Sequence, residues 1–470
     1  MMMWLLPGRR VEMPEITLDD LLALPQSELL LPGRMNRKDI YLAGVSIDTR
    51  TIKPNKVFWA IKGERFDGHD FIEAAAEKGA ALAVVEKKKI KKLTRIAFPL
   101  LLVEDSLKAL QQFAAAHRRK FDFPVVALTG SNGKTTTKEM IASILQRKLN
   151  VLKTEGNLNN HIGCPLTLLK FSSENEVAII EIATNHPGEI RTLTKIVQPE
   201  QALVTNIGGA HLAYFASEEE LAAEKLSLFD EMTGDLIYRN MDDPWIASYQ
   251  STGKRLIDYG WNEKAQVRGR ILDMDDKGCG AFRLNDVVDI RLGVAGWHNV
   301  KNALTAAAVA LQFGFSEHEI ADALASYRGF DRRMQVLERA GIIIVNDAYN
   351  ANALSMQAAF DTVAAMRIKG RCIYALGDML ELGKNSVKIH YGVLLAALQS
   401  GANRILTLGE NFYAASARLK KEQHAIVENY SDREELAKRL NELLKPGDLL
   451  LLKGSRGMEM EKVLEKLDKA

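Results

Sequence analysis

Short apolar runs alternate with segments of helical periodicity along most of the chain, a pattern that predicts strands and helices in turn. In the first quarter the runs are Lys56 to Ile61, Ala80 to Val85 and Leu100 to Val103, and the helical stretches Phe71 to Lys78 and Leu107 to Arg119 lie among them. Next comes Val125 to Leu128, rich in β-branched residues. It passes through a glycine-punctuated turn into Met140, Ile141, Ile144 and Leu145 at helical spacing. Val177 to Ile182 and Ala202 to Asn206 predict two more strands, each ending in a polar group. Turn signals at Asp275 to Gly278 and at Asn285-Asp286 predict antiparallel hairpins decorating this sheet, before an alanine-rich helix from Gly296 through Leu311. From Asp331 onward, runs at Ile342 to Val345, Cys372 to Leu376, Ile405 to Leu408 and Leu449 to Leu452 alternate with helical stretches at Ala353 to Met366, Lys388 to Gln399 and Asp432 to Leu444. The whole predicts an α/β protein of three domains. Residues 1–122 form a small N-terminal α/β domain, 123–330 a central P-loop-type, mostly parallel sheet, and 331–470 a Rossmann-like doubly wound domain.

Size and charge narrow the function without naming it. A chain of 470 residues accommodates three domains at roughly 100–200 residues each. With 62 basic against 60 acidic side chains, nothing in the charge calls for nucleic acid or an anionic membrane. Cys164, Cys279 and Cys372 lie far apart with no CxxC pair, so neither a zinc site nor a disulfide framework is expected, and a cytoplasmic setting is. The opening MMMWLLPGRR has its arginines after a very short apolar patch, the wrong order for a secretory signal, and no later run approaches a membrane span. Met13 is a candidate start, with residues 1–12 a disordered or misassigned extension. The basic run Lys87 to Lys92, broken by Ile90, reads as a solvated face.

The chemistry concentrates at Gly130-Ser131-Asn132-Gly133-Lys134-Thr135. A full phosphate-loop pattern needs glycine where this chain has Leu128, so the match is to a shorter GxxGKT form. Two glycines there let the backbone turn its N–H groups inward, and the following helix N-terminus adds partial positive charge, so the loop can hold phosphate. Lys134 would reach the terminal phosphates and Thr135 would place its hydroxyl on Mg2+. In an open parallel sheet ligands sit beyond the carboxyl ends of the strands, which makes Glu181 and His211 candidates for the same edge. They could hold a divalent metal directly or through water. Thr154 to Leu169, with Asn157, Asn159 and Asn160, reads as a ligand loop. The stretches Val45 to Arg50 and Gly63 to Phe71 are suited to a polar ligand. Lys225 by itself reads as a helix-surface lysine. Further polar clusters follow the third-domain strands: Asn346 to Asn352, Gly377-Asp378 and Lys453 to Arg456.

Taken together, GSNGKTTTKEM, GNLNNHIGCPLTLL, EIATNHPGEI, NIGGAHL, GWHNVKNAL, NDAYNANALSM, LGDMLELG and KGSRGMEME resemble, in order, the motifs of the Mur ligases, the ATP-dependent amide-forming family of peptidoglycan precursor synthesis. Within it, the resemblance is to the branch that adds D-alanyl-D-alanine to UDP-N-acetylmuramoyl-tripeptide through an acyl phosphate. It implies ATP and Mg2+ as cofactors, and a monomer acting on small molecules without nucleic acid or membrane insertion. It further implies ATP contacts from Gly130, Ser131, Asn132, Gly133, Lys134, Thr135, Thr136, Asn299, Asn302, Arg333, Asp347, Tyr349 and Asn350. Metal ligation falls to Thr135, Glu181, His211 and a carbamylated Lys225; Lys134, Glu181, His211 and Lys225 form the catalytic set. Ser46, Thr49, Arg50, Asp67, His69, Asn157, Asn159 and Asn160 become contacts of the UDP-muramyl substrate, while the third domain closes on ATP and binds the acceptor. Three positions depart from the family pattern: Ala353 stands where a proline is usual, Asn55 where a turn glycine is usual, and Asp331-Arg332-Arg333 leaves either arginine as the nucleotide contact. The rival readings are a sister ligase that adds a single amino acid, a folylpolyglutamate synthase-like ligase, and a nucleotide switch. The switch would want a guanine-reading NKxD, which the sequence lacks.

Overall fold

The computed structural model describes residues 15–90, 97–208, 215 and 217–467. Among these, three sheets follow one another along the chain. The first holds β1 (Glu28–Leu30), β2 (Val45–Ser46), β3 (Val57–Trp59), β4 (Leu82–Glu86) and β5 (Leu100–Val103) in the order β1-β5-β4-β3-β2. All its pairings are parallel except β1 with β5. Asn55 enters β3 at φ 65°, a left-handed conformation that asparagine tolerates, so it replaces a turn glycine without disturbing the fold.

The second sheet comprises β6 (Val125–Thr129), β7 (Val151–Lys153), β8 (Val177–Glu181), β9 (Gln201–Val204), β10 (Leu236–Asn240), β11 (Arg255–Gly260), β12 (Val267–Met274), β13 (Cys279–Leu284) and β14 (Val288–Ala295). Its order is β14-β13-β12-β11-β10-β9-β6-β8-β7. The strands run parallel from β7 to β12 and antiparallel through β13 and β14. The expected hairpins therefore continue the sheet. β12 pairs with β11, and the hairpin follows from it. Strand β6 is buried on both faces, as a central parallel strand should be. Val125 and Ala127 enter one core while Val126 and Leu128 enter the other, against the helices Lys134–Leu145 and Trp297–Gln312.

The first of those cores does not stop at the central sheet. Trp59, Leu101 and Val103 of the first sheet, Leu110 and Phe113 of the helix Ser106–Arg118, and Cys164, Leu168 and Phe171 of the second region all belong to it. Buried Arg118 fastens the seam by donating to the carbonyls of Phe121, Val197 and Gln198 and to Glu200.

The third sheet is β15 (Gln335–Arg339), β16 (Ile342–Asp347), β17 (Cys372–Gly377), β18 (Arg404–Leu408), β19 (Val427–Tyr430) and β20 (Leu449–Lys453), ordered β15-β16-β20-β17-β18-β19. Only β15 is antiparallel. Helices Ala353–Ala365 and Ser386–Gln399 cover one face and Arg433–Leu443 the other, the doubly wound arrangement. Asn352 caps the first of these helices by accepting from the Ser355 N–H at 2.8 Å. Ala353 fits the first helical position there as well as proline would. The loops after β16, β17 and β20 leave the sheet at the same end. No helix among the described residues is long and apolar enough to cross a membrane.

Candidate active site

Between β6 and the helix Lys134–Leu145 the chain makes a loop that only glycine can turn. Gly130 has φ 148° and Gly133 φ 81°; a Cβ at the first would stand 1.9 Å from Thr205 Oγ1, and at the second 2.4 Å from Asn302 Oδ1. The end of β9 clamps this loop. Ser131 N donates to the Asn206 carbonyl at 2.8 Å, Asn132 N to Asn206 Oδ1 at 3.0 Å, and Thr205 Oγ1 to the Asn132 carbonyl at 2.6 Å. Lys134 Nζ folds over the loop to donate to the Gly130 carbonyl at 2.6 Å. Burial lowers its pKa, Glu181 opposes that shift and Arg333 adds to it. Thr136 is buried on the first turn of the helix.

Thr135 Oγ1 donates to Glu181 Oε1 at 3.2 Å, and Asn159 Nδ2 donates to the same oxygen at 2.8 Å. Glu181 Oε2 is buried without a hydrogen-bond partner, 3.7 Å from the ammonium of fully buried Lys138. The Lys138 charge offsets part of the cost of burying this oxygen, but its missing hydrogen bond still costs free energy. A hydroxyl beside a carboxylate oxygen that lacks a hydrogen bond, at a phosphate-binding loop, is a hard oxygen donor set that fits Mg2+. His211 lies outside the described residues. Among those described, no three His, Cys, Asp or Glu side chains gather as a metal site.

Lys225 is not on the surface of its helix, Glu218–Glu231, but 1% exposed. Leu221, Ala222 and Leu228, at three and four residues' spacing from it, are buried with it on the inward face. No hydrogen bond or ion pair holds its ammonium among the described residues. Burial carries its pKa well below the usual lysine value, the Lys134 charge pushes the same way, and Glu224 opposes them.

The third sheet reaches into this site. Arg333 Nη2 donates to Thr135 Oγ1 at 3.0 Å, and its guanidinium lies 4.1 Å over the Tyr349 ring. Its neighbours Arg332 and Met334 both have left-handed backbones, φ 58° and 49°. Arg332 turns instead to Asp331 and Glu461. Of the two arginines, Arg333 is therefore the one at the phosphate loop. Asp347 Oδ1 accepts from Met334 N at 3.1 Å, and Oδ2 pairs with buried Lys453, which also donates to the Asn350 carbonyl at 3.1 Å. Asn352 Nδ2 donates to Asn132 Oδ1 at 2.9 Å, a second link from the third sheet to the loop. On the central helix, Asn302 faces Gly133 and donates to Asn299 Oδ1 at 3.2 Å, while Asn299 ties back to the Ala295 carbonyl at 2.7 Å. His298 beside them is held neutral: burial lowers its pKa to about 4, and Asp347 only partly offsets this.

Sequence reasoning placed Asn352 and Lys453 in polar clusters without giving either a role, and passed over Lys138. Lys453 had a readable signal in its position at the end of a fully apolar strand.

The first-domain candidates are more varied. Arg50 is exposed and forks onto Asp48, Ser46 Oγ is 3.3 Å from the Asp48 carbonyl, and the Thr49 carbonyl accepts from Lys78. Asp67 accepts from His69 Nδ1 at 2.6 Å and from Lys89 at 2.8 Å; although burial opposes it, these bonds hold its carboxyl below the usual range. His69 is buried, and its Nε2 accepts from Glu86 N at 3.0 Å. Both ring nitrogens of His69 are thus engaged within the protein. Lys89, read as solvated, is the anchor of this turn. Asn160 Oδ1 accepts from Ile162 N and Gly163 N, at the start of the helix Gly163–Leu168, and the Asn157 carbonyl accepts from Asn159 N. Of these three asparagines, Asn159 is the one whose side chain touches Glu181.

Comparison with known proteins follows the three sheets. Residues 41–118 match the model of the Mur ligase family catalytic domain, 128–310 the Mur ligase middle domain, and 332–456 the Mur ligase glutamate ligase domain. UDP-N-acetylmuramoyl-tripeptide--D-alanyl-D-alanine ligases are similar over most of the length. That of Escherichia coli is 35% identical, covering 94% of this chain and 98% of the relative; that of Bacillus subtilis is 34% identical, covering 90% and 93%. Among solved structures, MurF from Acinetobacter baumannii superposes with a TM-score of 0.84 at 30% identity, over 96% of this chain and 98% of that one. MurF ligase from Thermotoga maritima in complex with ADP gives 0.79 at 28% identity, over 93% and 99%. Three consecutive domain matches and relatives aligned nearly end to end leave no part of the architecture over, and the chain belongs to the Mur ligase family.

Proposed function

We propose that this protein is the ligase joining D-alanyl-D-alanine to UDP-N-acetylmuramoyl-tripeptide, with ATP cleaved to ADP and phosphate. The observation that carries the reading is the near end-to-end match to ligases of that name, together with a phosphate loop that the third sheet already touches. The loop amides and Lys134 hold the ATP phosphates, and Arg333 meets their outer oxygens from across the site. Asn299 and Asn302 line the adenine side, with Asp347, Tyr349 and Asn350 approaching from the third sheet. Thr135 and Glu181, with His211 and a carbamylated Lys225, would hold magnesium, which would supply positive charge to the phosphate oxygens. The burial of Lys225, with no ion-pair partner among the described residues, supports that modification, which turns a cation into a carboxylate ligand. Ser46, Thr49, Arg50 and Asp67 hold the uridine diphosphate end of the substrate, and Asn157, Asn159 and Asn160 its passage toward the loop.

The tripeptide carboxylate attacks the γ-phosphorus and becomes an acyl phosphate. The dipeptide amine then forms the amide bond, and phosphate leaves. Water would destroy the acyl phosphate, so the third domain excludes it by closing on the loop through Arg333 and Asn352. Nucleotide substrates and free cysteines support a cytoplasmic setting. The test is phosphate release from ATP and Mg2+ with UDP-muramyl-tripeptide, with and without D-alanyl-D-alanine, and with the product weighed. Release requiring both substrates and yielding the pentapeptide is expected. Release indifferent to the dipeptide would overturn the reading in favour of a sister ligase or a hydrolase.

A further inference from the structure

We propose that Arg456 reads the C-terminal carboxylate of the acceptor dipeptide, with Leu380 beside it receiving the terminal methyl group. The proposal rests on the ligase reading above and deepens it, because none of the residues discussed so far binds the acceptor.

The loops that follow β16, β17 and β20 are stitched together at one point. Ser455 N donates to the Asp378 carbonyl at 3.1 Å, Leu380 N donates to Ser455 Oγ at 2.9 Å, and Ser455 Oγ donates to the Ala351 carbonyl at 3.4 Å. Asp378 is itself fixed, its buried carboxylate accepting from Asn411 N and Phe412 N at 2.9 Å each. Leu380 and Arg456, two of the exposed side chains on these loops, are therefore presented by a rigid frame.

Arg456 is 59% exposed. Among the described residues the one hydrogen bond of its side chain is to Glu461 Oε1 at 3.2 Å, so most of its five donors are uncommitted. Leu380 is 44% exposed, and Gly457, next to Arg456, leaves it room: a Cβ there would stand 2.8 Å from Leu380 Cδ1. A planar guanidinium fork matches a carboxylate, and a neighbouring exposed leucine matches a methyl group. The C-terminal residue of D-alanyl-D-alanine carries both.

The location suits the reaction. The guanidiniums of Arg456 and Arg333 share the Tyr349 ring, at 5.6 and 4.1 Å from its centroid, and Arg333 touches the phosphate loop. An extended dipeptide spans about 7 Å. Anchored at Arg456, it can carry its amine past Tyr349 toward the activated carbonyl. Arg332 is the rival cation here, but it is already paired with both Asp331 and Glu461.

The experiment is a steady-state comparison of D-alanyl-D-alanine with its C-terminal amide on wild type, Arg456→Gln and Arg456→Lys. In wild type the amide should have a KM about 10- to 100-fold higher, the loss of a charge-assisted contact. Arg456→Gln should raise the KM for the acid by a similar factor, leave the KM for ATP unchanged, and no longer distinguish acid from amide. Arg456→Lys should fall between them and serves if the glutamine variant does not fold. A wild type that uses both acceptors equally, or a glutamine variant that still prefers the acid as wild type does, would overturn the subsite while the ligase reading stands. A wild type that makes no product from the acid would overturn both.

Discussion

Replacing Arg333 by methionine separates the two arginines that the sequence could not. Arg333 Nη2 stands 3.0 Å from the Thr135 hydroxyl, so a terminal phosphate seated in the loop brings an anionic oxygen to within about 4 Å of the guanidinium. At an effective dielectric near 20, a unit charge pair at that distance is worth about 4 kcal/mol, an upper bound. A charge-assisted hydrogen bond measured by deletion gives roughly 1.5–3 kcal/mol, and we take that range. It corresponds to a loss of about 10- to 150-fold in kcat/KM for ATP. Arg332, half-exposed and paired with Asp331 and Glu461, is worth roughly 0–1 kcal/mol, so Arg332→Met should cost less than about fivefold. Arg333→Lys should recover part of the loss, since an ammonium keeps the charge but not the fork or the stacking on Tyr349. The assay is ATP-dependent pentapeptide formation over a range of ATP at saturating acceptor, with thermal melting as a folding control. Equal losses in Arg332→Met and Arg333→Met, or an Arg333→Met enzyme within threefold of wild type, would refute the assignment of Arg333 to the phosphates.

Lys225→Met should lower kcat by roughly 100-fold or more while thermal stability holds or rises, because the variant removes a buried amine that has no partner among the described residues, along with the proposed ligand. Intact mass in bicarbonate should show wild-type enzyme carrying an added carbon dioxide, and fully active enzyme without it would remove that role. His298 has a folded pKa of about 4 against an ordinary 6.5, so its contribution is fully present above pH 6.5 and is lost as pH falls toward 4. At about 1.36 kcal/mol per unit, the difference amounts to on the order of 3 kcal/mol. Urea unfolding at pH 7.5 and pH 5 should therefore show a smaller loss in His298→Phe than in wild type; equal losses would contradict the burial of a neutral ring.

The strands with unbroken apolar runs were legible because a parallel strand covered on both faces has no polar position to interrupt it. β10 and β11 were not, since Arg239, Asn240, Arg255 and Asp258 break their pattern. The phosphate loop was readable because its glycines, lysine and threonine are contiguous. Asn352 and Lys453 become parts of the site only when chain ends about a hundred residues or more apart are brought side by side, as the pairing of Asp347 with Lys453 does, and no local spacing encodes that. Lys225 was misread for a simpler reason. Its charge suggested water, but Leu221, Ala222 and Leu228 around it already marked the inward face.

The core shared across the helix Ser106–Arg118 makes the first two sheets one mechanical body. A chain cut at the sequence boundary near residue 122 would strip Phe171, Leu168 and Cys164 of their apolar cover and leave the acceptors of Arg118 without their donor. The first sheet is thereby held in fixed relation to the phosphate loop, which leaves relative motion to the third sheet. Exchange of substrate specificity among related ligases by swapping the first domain would have to carry the helix Ser106–Arg118 and its bed on the central sheet along with it.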